Sequence, residues 1–138
     1  MKNYEFLEHT ADFCLKVKSD TLGGLFEAAA QGLLSNVFEE ISLGAKVEKI
    51  SFSIMGESME ELLVKFLNEL LYMFYIKKRL QRGEFDNITL DDCSLNVKAD
   101  FVAIKDFKTN LEIKAVTYGN VKIEKKNNLY ETVVIADV

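Results

Sequence analysis

The sequence contains no proline and no tryptophan, and it contains only two cysteines and one histidine. Cys14 and Cys93 are too far apart to form a CxxC-type metal or redox motif, and we expect both thiols to be reduced and largely buried. No apolar run approaches the roughly 20 residues of a membrane-spanning helix. The N-terminus shows no apolar signal segment. We therefore expect a cytoplasmic protein without a membrane partner.

The composition is that of one folded domain. The chain has 138 residues, of which 49% are hydrophobic and 28% charged, and this balance is typical of globular proteins rather than disordered ones. Its formal net charge of -5 argues against a free-standing RNA-binding protein, which would usually be basic. The charge leaves open a protein that acts on a nucleic-acid enzyme. Without repeats or linkers, we expect a single domain covering residues 1–138.

Fingerprints of the common enzyme classes are also missing. The sequence has no GxGxxG motif, no phosphate-binding loop and no HExxH motif. Nucleophilic catalysis needs a nucleophile beside an oriented base, and the only histidine, His9, lies five residues from Cys14 without a visible third group. We expect no catalytic residues. A small hydrolase built on His9 and Cys14 is the weakest alternative.

Hydrophobic periodicity predicts two helices among antiparallel strands. Alternating patterns predict strands at 4–8, 12–18, 46–55, 85–90, 94–104, 111–118, 121–125 and 129–137. One helix is predicted to start after an N-cap at Asp20 or Thr21, and the second at the Ser58 to Glu61 capping box. The cations of 77–82 and Gly83 are predicted to end the second helix. This pattern indicates an α+β fold, a mostly antiparallel sheet with both helices packed on one face.

Two acids near the ends of the chain stand in unusual places. Asp12 begins a predicted strand, and Asp137 ends the apolar run 133–138, where a carboxylate does not improve packing. If the terminal strands lie side by side, the two carboxylates converge into a site for a hard cation. The pattern is equally compatible with Asp12 capping a turn and Asp137 being a solvated chain end.

Two further residues could support such a site. Lys114 lies within a predicted strand among apolar residues, where it is an ordinary exposed lysine, balances the acid pair or holds a phosphate. Glu69 borders the apolar stripe of the second helix, so it faces either a cleft between helix and sheet or solvent.

Four segments together resemble the archease family. They are Phe6-Leu7-Glu8-His9-Thr10-Ala11-Asp12, Leu67-Asn68-Glu69-Leu70-Leu71-Tyr72, Lys114-Ala115-Val116-Thr117-Tyr118 and the terminal Asp137-Val138. The resemblance implies an accessory protein and not an enzyme. Archeases activate the GTP-dependent RNA ligase that seals tRNA exon halves, by promoting its guanylylation and its multiple turnover. RNA would then be contacted only through the ligase.

The resemblance also implies a metal site. The family's ligands fall on Asp12, Asp137 and the backbone carbonyl of Val138, and its basic residue falls on Lys114. The expected cofactor is a divalent cation, calcium first, with magnesium or manganese as alternatives. His9 and Glu69 are candidate supporting residues.

The chain departs from the family pattern at two positions. Gly119 stands where family members often have histidine, and Tyr75 stands where an acidic residue is frequent. The first departure leaves His9 as the only imidazole near the expected site. The alternative function is a general metal-binding, chaperone-like modulator of RNA-modifying proteins such as tRNA methyltransferases.

Overall fold

The structure is a computed structural model that describes residues 2–7, 12–109, 111–119 and 121–138. Within these ranges, two helices and eight strands follow one another along the chain. They are β1 (Lys2–Leu7), β2 (Asp12–Ser19), α1 (Leu22–Leu34), β3 (Glu40–Met55), α2 (Met59–Tyr75), β4 (Arg79–Leu90), β5 (Ser94–Lys108), β6 (Ala115–Val116), β7 (Glu124–Lys126) and β8 (Leu129–Asp137). The described strand pairs are all antiparallel. The predicted α+β class is confirmed.

The described strands form two sheets, where the sequence suggested one. The first has the order β1-β2-β8-β6, with β7 also pairing with β8, and the second has the order β3-β5-β4. Both helices contact both sheets. The burial of α1 explains why two sheets surround the helices. This helix is buried around most of its circumference and carries one charged residue, Glu27. A helix that is apolar on nearly all sides needs cover on more than one side.

Both helices begin where their capping residues predict. The Thr21 hydroxyl accepts a hydrogen bond from the backbone N–H of Gly24 at 3.0 Å, and the Ser58 hydroxyl accepts one from Glu61 at 3.1 Å. Each bond satisfies a donor that the first helical turn leaves without a partner.

The predicted end of α2 is wrong. The helix stops at Tyr75, Lys78 adopts a positive φ of 55°, and Arg79 already begins β4. Gly83 therefore lies inside β4, at the register shift between Arg82 and Asn87 in the pairing with β5. Its φ of 73° is one that glycine adopts without steric cost, so this glycine serves a bulge in a strand and does not cap a helix.

Aromatic rings join the helices to the second sheet. Phe66 of α2 lies 5.8 Å from Phe26 of α1, 6.4 Å from Phe52 of β3 and 5.8 Å from Phe85 of β4, measured between ring centroids. Such pairs contribute beyond the area they bury. Among the described helices, neither has the length and apolar character required to cross a bilayer.

Two expectations about extent and burial are corrected. The predicted strands 111–118 and 121–125 reduce to β6 and β7. Side chains of α2 form hydrogen bonds with backbone groups of Ile113, Val116 and Ile123. Because these groups bond to the helix, the segment does not form a longer regular strand. Cys14 is buried as expected, but Cys93 is exposed in the turn between β4 and β5.

Candidate functional site

The two terminal acids lie directly opposite each other in the first sheet. In the antiparallel pairing of β2 with β8, Asp12 faces Asp137 and Phe13 faces Ala136. Phe13 and Ala136 are buried in the core, so the two aspartates lie on the opposite face of the sheet. Directly opposite residues have Cβ atoms about 4.5–5.5 Å apart, a separation at which two carboxylates can reach one cation.

Strand β6 lies on the other side of Asp137. The register places Ala115 opposite Asp137, and the backbone N–H of Lys114 donates to the Asp137 carbonyl at 2.8 Å. Two consecutive residues thus face one residue of β8, which is the arrangement of a bulge. Two residues further along both strands, the N–H of Thr117 donates to the carbonyl of Ile135 at 2.9 Å. Asp137 is therefore held between two neighbouring strands.

The donor chemistry of this site fits a hard cation. Two carboxylates and the backbone of the exposed Val138 offer oxygen atoms, which suit calcium, magnesium and manganese better than zinc. Like charges directly opposite in a sheet repel each other, and a bound cation would relieve that repulsion. In the described ranges no group of three or more His, Cys, Asp or Glu side chains could hold a metal ion. The acid pair would need water or a partner to complete its ligand set.

The other predicted residues lie in different places relative to the pair. Lys114 contacts Asp137 through its backbone and lines a groove of about 430 Å³ against α2. Glu69 lines a second groove of about 530 Å³, together with Tyr72 and Tyr118. Asn68 lines both grooves. His9 lies outside the described residues.

The environment of Cys14 opposes a nucleophilic role. Burial and the nearby negative charge of Asp12 raise the pKa of the Cys14 thiol. Both effects disfavour the thiolate, which is the reactive form. The alternative of a hydrolase built on His9 and Cys14 therefore loses support at its nucleophile.

A set of residues that sequence reasoning missed connects α2 to the segment beside the acid pair. Glu60, Asn68 and Tyr75 accept hydrogen bonds from the backbone N–H groups of Ile123 at 2.9 Å, Val116 at 2.8 Å and Ile113 at 3.2 Å. The three residues are spaced about two helical turns apart, so they share one face of α2. The spacing of these polar residues on one helix face could have indicated that this face contacts another segment. It does not identify that segment, because the bonded residues lie far away in sequence.

The fold and the acid pair define a class, a small α+β protein whose strands β2 and β8 bring two carboxylates together on one face. The sequence profile of the archease protein family matches residues 4–138, so this chain belongs to the archease family. A protein archease from Pyrococcus furiosus is 35% identical over 130 residues, covering 91% of this chain and 90% of that relative. One from Methanosarcina barkeri is 30% identical over 143 residues, covering 99% and 97%.

Solved structures agree with this assignment. The crystal structure of an archease from Thermotoga maritima, described as a possible chaperone, has a TM-score of 0.69 and 25% identity, covering 96% of this chain and 94% of that one. A solution structure from Methanobacterium thermoautotrophicum has a TM-score of 0.72 and 22% identity over 98% of both chains, and it supports the fold alone. Family membership supports an accessory, chaperone-like protein whose partners belong to RNA processing.

Proposed function

We propose that this protein activates a GTP-dependent tRNA-splicing RNA ligase by promoting its guanylylation and its multiple turnover. The observation that carries the proposal is the direct opposition of Asp12 and Asp137 in a chain that belongs to the archease family. Among the described residues, this pair best combines converging charged groups with access from outside.

The acid pair would hold a divalent cation, calcium first, with magnesium or manganese as alternatives. Asp12 and Asp137 would supply carboxylate oxygens, and the backbone carbonyl of Val138 would supply a third ligand. A cation bound there would provide positive charge that offsets negative charge on phosphate groups. Water or the partner would fill the remaining coordination positions.

The charge of the chain suits such a partner. A protein with a net charge of -5 and an accessible acid pair complements the basic surface that an RNA-handling enzyme presents to its substrate. Lys114, which immediately precedes β6 and bonds to Asp137 through its backbone, would add a positive group for a phosphate at the edge of the contact. His9 and Glu69 remain candidates for supporting roles.

The test measures guanylylation and multiple-turnover sealing by an RNA ligase from the same organism, with and without this protein. We expect stimulation at substoichiometric amounts. Replacing Asp137 by alanine removes a proposed ligand from an exposed position, so Asp137→Ala should abolish stimulation while the fold remains intact. Circular dichroism checks the fold.

Asp92→Ala is the matched control because Asp92 is an exposed aspartate in the turn between β4 and β5. It removes the same charge outside the first sheet and should stimulate like the unmodified protein. Full stimulation by Asp137→Ala would reject the acid pair as the mechanism.

The alternative is a general metal-binding, chaperone-like modulator of RNA-modifying proteins such as tRNA methyltransferases. It is favoured by the description of the Thermotoga maritima structure as a possible chaperone. Affinity capture with this protein as bait separates the two functions, because an activator should retain one dominant ligase and a general modulator should retain many clients.

A further inference from the structure

The outward backbone groups of β6 are bonded to one side chain. β6 lies at the end of the first sheet, with β8 on one side, so a second strand partner is missing from the described sheet order. Edge strands of this kind present backbone N–H and C=O groups that need partners. At Val116 both groups are satisfied by Asn68 of α2, whose Oδ1 accepts from the Val116 N–H at 2.8 Å and whose Nδ2 donates to the Val116 carbonyl at 3.0 Å.

A carboxamide can form this pair of bonds because it has an acceptor and a donor side by side. It offers the strand the same two groups that a residue of a neighbouring strand would offer. Aspartate would lose the donor, and leucine, which has a similar size, would lose both. The requirement at position 68 is therefore for a primary amide.

The bonds of Asn68 lie one residue from the acid pair. Val116 is opposite Ala136, and the preceding residue, Ala115, is opposite Asp137. On the β8 side, the N–H of Lys114 is bonded to Asp137 and the N–H of Thr117 to Ile135. A short strand with only two residues has few other bonds to hold it in this register.

We propose that Asn68 is a positioning residue for the acid-pair site, acting through β6. By binding both backbone groups of Val116, it holds β6 against the end of β8 and so fixes the backbone of Asp137 opposite Asp12. The metal-related part of this inference rests on the proposed cation site, whereas the strand-positioning part does not. Residues that orient metal ligands typically change metal affinity by about 10–100-fold when they are replaced.

The experiment compares the unmodified protein with Asn68→Leu. Amide hydrogen exchange is followed by NMR at Lys114 and Thr117, whose N–H groups bond to β8 and not to Asn68. We expect exchange at both amides to become roughly tenfold faster, because losing the two Asn68 bonds makes local opening of β6 easier. Exchange in β3 and β5 should stay unchanged.

A calcium titration by calorimetry gives the second measurement. Asn68→Leu should bind calcium about tenfold or more weakly than the unmodified protein, although it leaves every proposed ligand in place.

Asn68→Asp, which keeps the acceptor for the Val116 N–H, should speed exchange at Lys114 and Thr117 less than Asn68→Leu does. If Asn68 contributed only to global stability, both substitutions would lower the free energy of unfolding, but they would not differ in their effect on exchange at Lys114 and Thr117.

Asn36→Leu is the matched control. The Asn36 amide donates to the carbonyl of Gly32 at 2.7 Å after the end of α1, outside the segment that contacts β6. It should leave exchange at Lys114 and Thr117 and calcium affinity unchanged.

The outcomes separate the two proposals. If exchange at Lys114 and Thr117 is the same in Asn68→Leu and in the unmodified protein, the positioning role is wrong. If the unmodified protein binds no calcium, magnesium or manganese while the exchange effect is present, the cation site is wrong and Asn68 still positions β6. Faster exchange with unchanged calcium affinity would overturn the link from Asn68 to the acid pair.

Discussion

Single polar side chains decide where several backbone groups of this protein find partners. Thr21 and Ser58 accept hydrogen bonds from the first turns of the two helices, and Asn68 binds both groups of Val116. The first two could be predicted because an N-cap acts on a residue three positions away. The partner of Asn68 lies 48 positions away, and no local pattern identifies it.

The cysteines give a prediction about accessibility. Cys14 is buried with a raised thiol pKa, and Cys93 is exposed. In the native protein near neutral pH we expect one thiol per chain to react with iodoacetamide and the second to react only after unfolding in urea. Mass spectrometry of digested protein locates each modification. Cys93→Ser should leave no rapidly reacting thiol, and rapid modification of Cys14 in the folded protein would contradict the described packing.

Among the elements, α2 combines two functions. Its apolar stripe packs in the core, where Phe66 and Phe74 are fully buried, as its periodicity predicts. Polar side chains on another face of α2 accept hydrogen bonds from the backbone N–H groups of Ile113, Val116 and Ile123, where a neighbouring strand would otherwise bond. The predicted strands in this part of the chain are therefore shorter in the structure. A stripe of apolar residues can be recognised from the sequence. The sequence does not identify the distant backbone groups that polar residues at the edge of this stripe will bind.

Helix α1 gives a prediction about packing from two glycines. A Cβ at Gly32 would lie 2.6 Å from Leu15 Cδ2 and 2.8 Å from Tyr4 Cγ, whereas a Cβ at Gly23 would meet only the Ile88 carbonyl at 3.7 Å. We expect Gly32→Ala to lower the free energy of unfolding by about 1–3 kcal/mol through overpacking. Gly23→Ala should raise it by up to about 1 kcal/mol through helix propensity.

Urea denaturation of both variants measures these changes. They place the same methyl group on the same helix, so their opposite signs isolate packing from propensity. Equal stabilisation by both substitutions would mean that α1 does not approach β1 and β2 as closely as described.

Considered as a whole, the molecule brings the start of its second strand beside the end of its last described strand. The pairing of β2 with β8 places Asp12 beside Asp137, and the hypothesis of adjacent terminal strands came from the acids themselves. The α+β class followed from periodicity, but the division into two sheets did not. The alternation of apolar residues shows which face of a strand is buried, but it does not show which strands pair. Pairing also depends on how the two sheets pack against the apolar faces of α1 and α2.

The most direct test of the acid pair is thermal unfolding of the unmodified protein and Asp137→Asn, each with EDTA and with saturating calcium. Without calcium, Asp137→Asn should be the more stable by roughly 0.2–1 kcal/mol, because it removes repulsion between opposed carboxylates. With calcium at about 100 times its Kd, the unmodified protein should gain about 2.7 kcal/mol, which raises its Tm by several degrees. Asp137→Asn should gain little, so the order of stability reverses. An unmodified protein whose Tm does not respond to calcium, magnesium or manganese would contradict a cation site at Asp12 and Asp137.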